Sequence, residues 1–269
     1  MCGQLGIIFG TKRRRQKEID HLTDLFTDLL LLSEKRGRHA TGVAWLNRDG
    51  EHGLYKQPVP AQDFVEDRKY RRVISGVGNK TTILMGHTRW QTRGDAQNNL
   101  NNHPIKTKFT LGTHNGTIMN ADRIFRRYNL PRVAEVDSEV IFRIVDSILH
   151  HSSIDADRLA EKLALCRGQI SAVMASKTDP ETIIVIKGNK PLELRYHKRY
   201  RALMYASEGE FLDMVLSDPA WVDIPVEPMS LLVIPCNDLL GLTLRPVDFC
   251  ATPRLPSRPQ SSFADAWRQ

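Results

Sequence analysis

The residues with the clearest chemical potential stand at the start of the chain, which opens MCGQLGIIFG. If Met1 is removed, Cys2 carries both a thiol and a free α-amino group. A thiol is nucleophilic as its thiolate, with an unperturbed pKa of roughly 8.5, and an α-amino group has a pKa of about 7.7–8.0. One residue then supplies the nucleophile and, directly or through a water, its general base. The apolar run after Gly3 predicts a buried strand that holds this terminus in place.

Polar clusters at predicted strand ends supply the other groups that thiol chemistry on an amide needs. A tetrahedral oxyanion requires hydrogen-bond donors, and Asn115 and Gly116 offer a side-chain amide and a backbone N–H on a predicted tight turn. A free amino acid as substrate needs a cation for its α-carboxylate and an anion for its α-ammonium. Arg89 and Asp137 are the candidates for these two roles.

The elements that must position these clusters follow from hydrophobic periodicity. Residues 18–36 place apolar side chains at helical spacing and stop at Gly37, and residues 60–76 read as helical or irregular. Further helices are predicted at ADRIFRRYN, DSEVIFRIVDSILHH, DADRLAEKLALC and GEFLDMVL, and strands at TGVAWLN, TTILMGHTRW, FTLGTHNGTI, QISAVMAS, ETIIVIKG, LELRYH, ALMYAS, MSLLVIPCN and LTLRPVDF. Because the strands come in hairpin-like pairs without βαβ alternation, we predict an α+β fold of two antiparallel sheets between helical layers.

A long polar loop, QTRGDAQNNLNNHP (91–104), follows one of these strands. Loops of this length inside a compact domain usually serve a function, and Trp90 at its start is more consistent with a closing loop than with a core. Two of the candidate residues also have simpler structural interpretations. Arg89 could be a surface cation, and Asp137 could cap the helix predicted to begin at Ser138.

The cysteine content and the charge limit the classes of protein to which the chain can belong. The chain has four cysteines: Cys2, Cys166, Cys236 and Cys250. They lack C-x-x-C spacing, and His87, His103 and His114 have no carboxylate at ligand spacing, so we expect no disulfide framework, no metal and no other cofactor. Without a signal peptide or an apolar run of transmembrane length, we expect a cytoplasmic protein with no membrane partner. The net charge of +7 is scattered, which favours a solvated basic surface over a nucleic-acid interface, with a phosphorylated partner or substrate as the alternative.

Six motifs occur in a fixed order: MCG at the start, RG-x-x-x-x-G at 36–42, GHTRW-x-T at 86–92, N-x-HP at 101–104, HNG-x-I-x-N at 114–120 and D-x-E-V-I at 137–141. A weaker echo is ASE at 206–208. In this order and spacing the chain resembles, over roughly residues 2–215, the class II glutamine amidotransferases, the glutaminase domain found in glucosamine-6-phosphate synthase. The resemblance implies the four-layer αββα sandwich of N-terminal nucleophile hydrolases, in agreement with the predicted layers.

The resemblance also implies a role for each matching residue. Cys2 matches the nucleophile with its own amino group as base, and Asn115 and Gly116 match the oxyanion hole. Arg89 matches the residue that binds the α-carboxylate of glutamine, and Asp137 matches the residue that pairs with its α-ammonium. L-Glutamine is therefore the expected small-molecule partner.

The loop and its neighbours also match, with departures from the pattern. Trp90 and Thr92 match the loop that closes over glutamine, and Arg36 matches a supporting arginine beside the nucleophile. The residue after the loop threonine, typically histidine in the synthase, is Arg93 here, and the synthase pattern RGYDS is RGRHA at 36–40. The sugar-phosphate isomerase region that follows in the synthase has no counterpart in this sequence.

We therefore expect residues 1–250 to form a glutaminase domain, followed by a Pro/Ser/Arg-rich tail at 251–269. The expected reaction is hydrolysis of L-glutamine to glutamate and ammonia through a Cys2 thioester, with ammonia passed to an acceptor on a separate protein. Two alternatives stay open. One is an N-terminal nucleophile hydrolase that cleaves a γ-glutamyl or other small amide without transfer, and the other is a non-catalytic binding or regulatory module.

Overall fold

The strands form two antiparallel sheets in the computed structural model, which describes residues 2–149 and 154–249. In chain order they are β1 (Gly3–Phe9), β2 (Ala40–Asn47), β3 (His52–Gln57), β4 (Thr81–Arg89), β5 (Ile105–Lys106), β6 (Thr110–Ile118), β7 (Gly168–Ser176), β8 (Thr182–Lys187), β9 (Glu193–His197), β10 (Ala202–Ala206), β11 (Trp221–Ile224), β12 (Ser230–Pro235) and β13 (Thr243–Pro246). The first sheet has the order β11-β9-β10-β1-β4-β2-β3, and the second has the order β13-β12-β8-β7-β6-β5. The strand that follows Cys2 is therefore central in the first sheet.

Helices cover the outer faces of both sheets. They are α1 (Gln16–Ser33), α2 (Ala61–Glu66), α3 (Arg68–Ile74), α4 (Ala121–Arg127), α5 (Glu139–Ile148), α6 (Ala156–Leu163) and α7 (Gly209–Val215). A 3-10 turn (Glu34–Arg36) continues α1 up to Gly37, as the periodicity of residues 18–36 predicts. A second 3-10 turn (Asn99–Asn101) lies in the polar loop between β4 and β5.

Three apolar clusters define the layers. One joins the first sheet to α1, α2, α3 and α7, and another joins the second sheet to α4, α5 and α6. The third lies between the sheets and is drawn from their strands and adjoining loops. Because alternate residues of a strand face opposite sides, Ile7 packs under the helices while Ile8 packs between the sheets. The predicted α+β fold of two sheets between helical layers is confirmed.

Asn115 and Gly116 do not lie on a tight turn, so that prediction is wrong. Both residues are inside β6, which pairs with β7 as far as Ile118 opposite Gly168. Gly116 has a φ of +137°, and a Cβ there would come within 1.8 Å of the Gln169 carbonyl oxygen. The glycine is required by this close approach of two backbones within the ladder.

Several predicted features fall elsewhere or outside the described residues. The helix α5 begins at Glu139, and the Asp137 carboxylate accepts a hydrogen bond from the Ile118 N–H of β6, so Asp137 ties the helix entrance to the second sheet. The C-terminal end predicted for this helix, at residues 150 and 151, lies outside the described residues. The same is true of Cys250 and of the tail at 251–269.

The packing of α1 on the first sheet generates a stability prediction. Phe26 is fully buried, and Gly86 of β4 leaves room for its ring, since a Cβ at Gly86 would come within 2.9 Å of that ring. We expect Phe26→Ala to lower the free energy of unfolding by about 3–5 kcal/mol because a cavity remains. Leu31→Ala, on the same helix but 37% exposed, should cost less than about 1 kcal/mol. Equal losses in urea denaturation would contradict this packing.

Candidate active site

The start of β1 brings Cys2 beside the end of β4. In this antiparallel pair Gly3 lies opposite Thr88, so the residue before β1 meets the segment that leaves β4. The Trp90 N–H donates to Cys2 Sγ at 3.3 Å, and the thiol faces the Trp90 carbonyl oxygen at 3.5 Å. The sheet register therefore places the first residue of the predicted closing loop on the predicted nucleophile.

Two side chains from different layers hold the backbone carbonyl of Cys2. Arg36, at the end of the 3-10 turn after α1, donates from Nε to the Cys2 oxygen at 2.7 Å. Asn115, from β6 of the second sheet, donates from Nδ2 to the same oxygen at 3.1 Å. Arg36 also forms a salt bridge with Glu208. The position of the thiol is thus fixed through its own main chain.

The amide of Asn115 is oriented by two further residues. Its Nδ2 donates to Ser207 Oγ at 2.7 Å, and its Oδ1 lies 3.2 Å from His87 Nε2. Burial lowers the pKa of His87 to about 3, so this ring is neutral at pH 7. Because the amide oxygen can only accept, His87 must carry its proton on Nε2 and donate.

Ser207 links this amide to the strand that carries the nucleophile. Its Oγ accepts from the Gln4 N–H at 2.8 Å and lies 3.1 Å from the Gln4 carbonyl oxygen, to which the hydroxyl donates. Sequence reasoning gave no role to Ser207 or Glu208, although both belong to the ASE echo at 206–208. This weak ASE match was the sequence feature that could have indicated a role, because serine and glutamate are common surface residues and no other pattern distinguishes these two.

Cys2 lines a cavity of about 110 Å³ that brings together most of the predicted site residues. The lining residues are Cys2, Arg36, Trp90, Thr92, Asn115, Gly116, Thr117, Gln169 and Lys190. The last three were missed by sequence reasoning. Gln169 of β7 and Lys190 after β8 reach the site only through the pairing of the second sheet, and Thr117 directly follows Gly116 on β6. Six predicted residues therefore converge on one cavity.

Arg89 and Asp137 do not belong to that lining. Arg89 is buried, and its guanidinium donates to Asn102 Oδ1 at 2.7 Å and to the carbonyl oxygens of Arg93 and Gly94 at 2.6 and 2.8 Å. Asp137 is also buried, with its carboxylate on the Ile118 N–H. In this structure Arg89 organises the polar loop, and Asp137 anchors the end of β6.

The loop is held from outside by Arg93, the residue that departs from the family pattern. Its guanidinium contacts both oxygens of Asp122 on α4 at 3.0 Å, and Arg132 contacts the same carboxylate at 2.7 Å. The Trp90 ring is 48% exposed and packs on His39, with ring centroids 4.7 Å apart. An exposed aromatic ring and an exposed ion pair contribute little to the rigidity of the loop.

Electrostatics at Cys2 act in two directions. Burial raises the pKa of the Cys2 thiol, whereas the Trp90 N–H and the positive charges of Arg89 and Arg36 lower it. Cys166 and Cys236 are buried free thiols whose pKa values burial raises to about 12. Of the thiols in residues 2–149 and 154–249, Cys2 is the one that lines a described cavity and has cationic neighbours.

Two absences can be stated for the described residues. In residues 2–149 and 154–249, no group of three or more His, Cys, Asp or Glu side chains is arranged to bind a metal ion. No helix in that part of the chain has both the length and the apolar character that crossing a membrane requires.

Sequence comparison finds relatives with two different names. Glutamine–fructose-6-phosphate aminotransferase of Shouchella clausii is 32% identical over 200 residues, covering 71% of this chain and 30% of that protein. The same enzyme of Halalkalibacterium halodurans is 28% identical over 197 residues, with the same coverage of 71% and 30%. The 7-cyano-7-deazaguanine synthase of Saccharolobus solfataricus is 23% identical over 246 residues, covering 89% of this chain and 50% of that protein. No family model matches the chain.

Comparison with solved structures supports the fold. Glutamine phosphoribosylpyrophosphate amidotransferase from B. subtilis superposes with a TM-score of 0.65 and 19% identity, over 91% of this chain and 49% of that one. A structure of an allosteric regulatory enzyme of purine biosynthesis gives a TM-score of 0.67 and 18% identity, with the same coverage. The chain spans about 30% of the first curated relatives and about half of these solved chains.

The opposing influences on Cys2 generate a prediction about thiol reactivity. Arg36→Gln removes a positive charge that lowers the thiol pKa but keeps a hydrogen-bond donor at that position. We expect the pH profile of Cys2 alkylation by iodoacetamide, followed by peptide mass spectrometry, to move about half a unit to one unit higher. Arg38→Gln is the control because Arg38 is 65% exposed on the neighbouring segment. Equal profiles for both variants would contradict the role of Arg36.

Proposed function

We propose that this chain, which sequence motifs and homologues identify as a relative of the class II glutamine amidotransferases, hydrolyses L-glutamine to glutamate and ammonia. The observation that carries the proposal is the position of Asn115. Its amide reaches across from the second sheet to Cys2, with its orientation set by Ser207 and His87. A thiol beside a pre-oriented amide donor is the arrangement that acyl transfer from an amide requires.

The first half of the reaction forms a thioester. Once Met1 is removed, the free amine of Cys2 takes the thiol proton, directly or through a water, and Sγ attacks the side-chain carbonyl carbon of glutamine. The oxyanion forms beside Asn115 and Gly116. Both hydrogens of Asn115 Nδ2 are used in the structure, on the Cys2 carbonyl oxygen and on Ser207 Oγ, so one of them turns to the oxyanion from the Cys2 carbonyl, and the Gly116 N–H is the second donor. Collapse of this intermediate breaks the C–N bond, and the proton held by the Cys2 amine goes to the leaving nitrogen, which departs as ammonia. Water then attacks the thioester and releases glutamate.

The polar ends of glutamine are assigned to Arg89 and Asp137. Both side chains are now occupied by main-chain groups: Arg89 by the carbonyl oxygens of Arg93 and Gly94, and Asp137 by the Ile118 N–H. A substrate carboxylate would therefore replace the loop carbonyls on Arg89, and the bond between guanidinium and carboxylate, charged on both sides, is stronger than that between guanidinium and a neutral carbonyl. Binding of glutamine is thus coupled to a change in the loop that starts at Trp90.

The ammonia acceptor is assigned to a separate protein. The relatives named above are longer, and this chain aligns with about 30% of the aminosugar-forming enzymes and 50% of the deazaguanine synthase. One name is that of an aminotransferase that uses glutamine and the other that of a synthase, and by analogy with them we assign an acceptor-binding partner to this chain. The alignment with the deazaguanine synthase covers 89% of this chain, which favours a heterocycle-modifying partner as the first to be tried in co-purification.

The role of Cys2 is tested by glutamate release from L-glutamine. We expect Cys2→Ala to reduce the rate by about 10³-fold or more, because no other group replaces the nucleophile. Cys166→Ala is the control, since that thiol is buried in the core of the second sheet. An intact mass that lacks Met1 must accompany the active sample.

Three outcomes would contradict the glutaminase assignment in different ways. Full activity of the Cys2→Ala variant would rule out the thiol. Activity on γ-glutamyl amides with none on glutamine would support the hydrolase alternative. Retention of Met1 on the mature chain would support a non-catalytic module, because the amine of Cys2 would be blocked.

The role of Asp137 is tested by a near-isosteric change. Asp137→Asn keeps an oxygen for the Ile118 N–H but removes the charge. We expect the KM for glutamine to rise about tenfold or more with a small change in kcat, because a charge-assisted contact in the bound substrate is lost. Asp157→Asn, which affects an exposed pair with Arg245, is the control. An unchanged KM would remove Asp137 from the binding site.

A further inference from the structure

A second cavity, of about 330 Å³, lies where β3 at the edge of the first sheet meets β5 at the edge of the second. Its lining residues are Leu54, Lys56, Asn98, Asn99, Leu100, Ile105, Lys106, Val133, Ala134 and Glu139. None of them lines the cavity at Cys2. The proposed reaction therefore leaves this second cavity without a role.

The cavity contains a partly buried ammonium group. Lys56 Nζ donates one hydrogen bond, to the Asn102 carbonyl oxygen at 2.7 Å, whereas an ammonium has three donors. In the part of the chain that the structure describes, no carboxylate lies within salt-bridge distance of Nζ, and the charge that acts on it most strongly is the Arg89 guanidinium. Burial, with Arg89, lowers the pKa of Lys56 to about 8, so the group is still mostly protonated at pH 7.

The other charged groups of the cavity do not neutralise Lys56. Glu139 is buried, and its carboxylate is already occupied by Arg143 and by the N–H groups of Val133 and Ala134. Lys106 is exposed and adds a second positive charge at the opening. A buried charge without a countercharge is costly, and an anion that enters the cavity would remove that cost.

The walls indicate what kind of anion fits. Leu54 and Ile105 line the cavity, and so do Leu100 and Val133, whose side chains are 52% and 60% exposed. Exposed apolar side chains around a partly buried cation favour a ligand with an anionic head and an apolar body. Inorganic ions would leave these walls uncovered.

Hydrogen bonds connect Lys56 to the loop at the nucleophile. Asn102 accepts from Lys56 through its backbone oxygen and from Arg89 through its side-chain oxygen, at 2.7 Å in each case. Arg89 in turn holds the carbonyl oxygens of Arg93 and Gly94. Asn98 to Leu100, which line the cavity, belong to the same loop.

We propose that this cavity binds a small organic anion, a carboxylate or a phosphate ester with an apolar body, whose head pairs with Lys56. Binding stabilises the loop that Asn102 and Arg89 hold and thereby strengthens glutamine binding at the other end of that loop. The second statement rests on the proposed glutaminase function, and the first does not.

Binding is measured by calorimetry on the full chain carrying Cys2→Ala, so that turnover cannot interfere. The probes are phenyl phosphate and benzoate, which distinguish a phosphate head from a carboxylate head, and benzyl alcohol is the uncharged control. We expect saturable binding of at least one anion, weakened about tenfold or more by Lys56→Met because a charge-assisted contact is lost. Lys106→Met, at an exposed position, should change affinity by less than about threefold.

Two further measurements complete the test. Lys56→Met should shift the thermal midpoint only slightly, because removal of a charge without a countercharge offsets the loss of its hydrogen bond to the Asn102 carbonyl oxygen. With Cys2 intact, a saturating anion should lower the KM for glutamine about fivefold, and the Lys56→Met chain should not respond.

Different results would overturn different parts of the proposal. No saturable binding, equal binding of benzyl alcohol, or undiminished binding by the folded Lys56→Met chain would overturn the site. Binding without any change in KM would overturn the coupling to the loop. A chain without glutaminase activity would overturn the proposed function and leave the binding result standing on its own.

Discussion

The structure depends on the carbonyl group of Cys2, which accepts hydrogen bonds from both sides of the sandwich. Arg36 reaches it from the end of the helical segment above the first sheet, and Asn115 reaches it from the second sheet. A residue at a chain start normally frays. Here two side chains from different layers hold its main chain, so the thiol is placed before any substrate arrives.

This arrangement explains why the first sheet has β1 near its centre. Pairing with β4 brings the loop at Trp90 over the thiol, and pairing with β10 brings Ser207 next to Gln4. Ser207 and His87 then fix the Asn115 amide so that one of its two donors reaches the Cys2 carbonyl oxygen. The supporting contacts are largely buried, as a pre-organised donor requires. The loop above them is held by the buried Arg89 and, on its outer side, by exposed contacts of Trp90 and Arg93.

The layered fold and many of its helices and strands could be predicted, because the sequence patterns that indicate them lie within single short segments. Residues 18–36 carry a broad apolar stripe, and they form α1 and its 3-10 extension. The turn expected at Asn115-Gly116 was wrong because a glycine inside a strand looks like a turn residue, and the close approach of Gln169 is invisible in sequence. Six of the eight predicted site residues meet at the cavity, namely Cys2, Arg36, Trp90, Thr92, Asn115 and Gly116, whereas Arg89 and Asp137 do not line it.

Contacts that depend on distant pairing were not predictable. Ser207 is 203 residues from Gln4 along the chain, and only the register of β1 and β10 joins them. In the structure Arg89 donates to backbone carbonyl oxygens of the loop. Every residue has such an oxygen, so the sequence does not indicate which of them Arg89 contacts. Lys56 gave no signal at all, because a single lysine in a strand is ordinarily a solvated side chain.

The most direct test of the account uses a glutamine analogue with a diazoketone in place of the side-chain amide, which alkylates the nucleophile that attacks it. After incubation, peptide mass mapping locates the adduct. The account predicts a single adduct on Cys2, on chains that lack Met1, with excess glutamine protecting against it. An adduct confined to Cys166 or Cys236, or none on chains whose Met1 has been removed, would contradict the claim that Cys2 attacks glutamine.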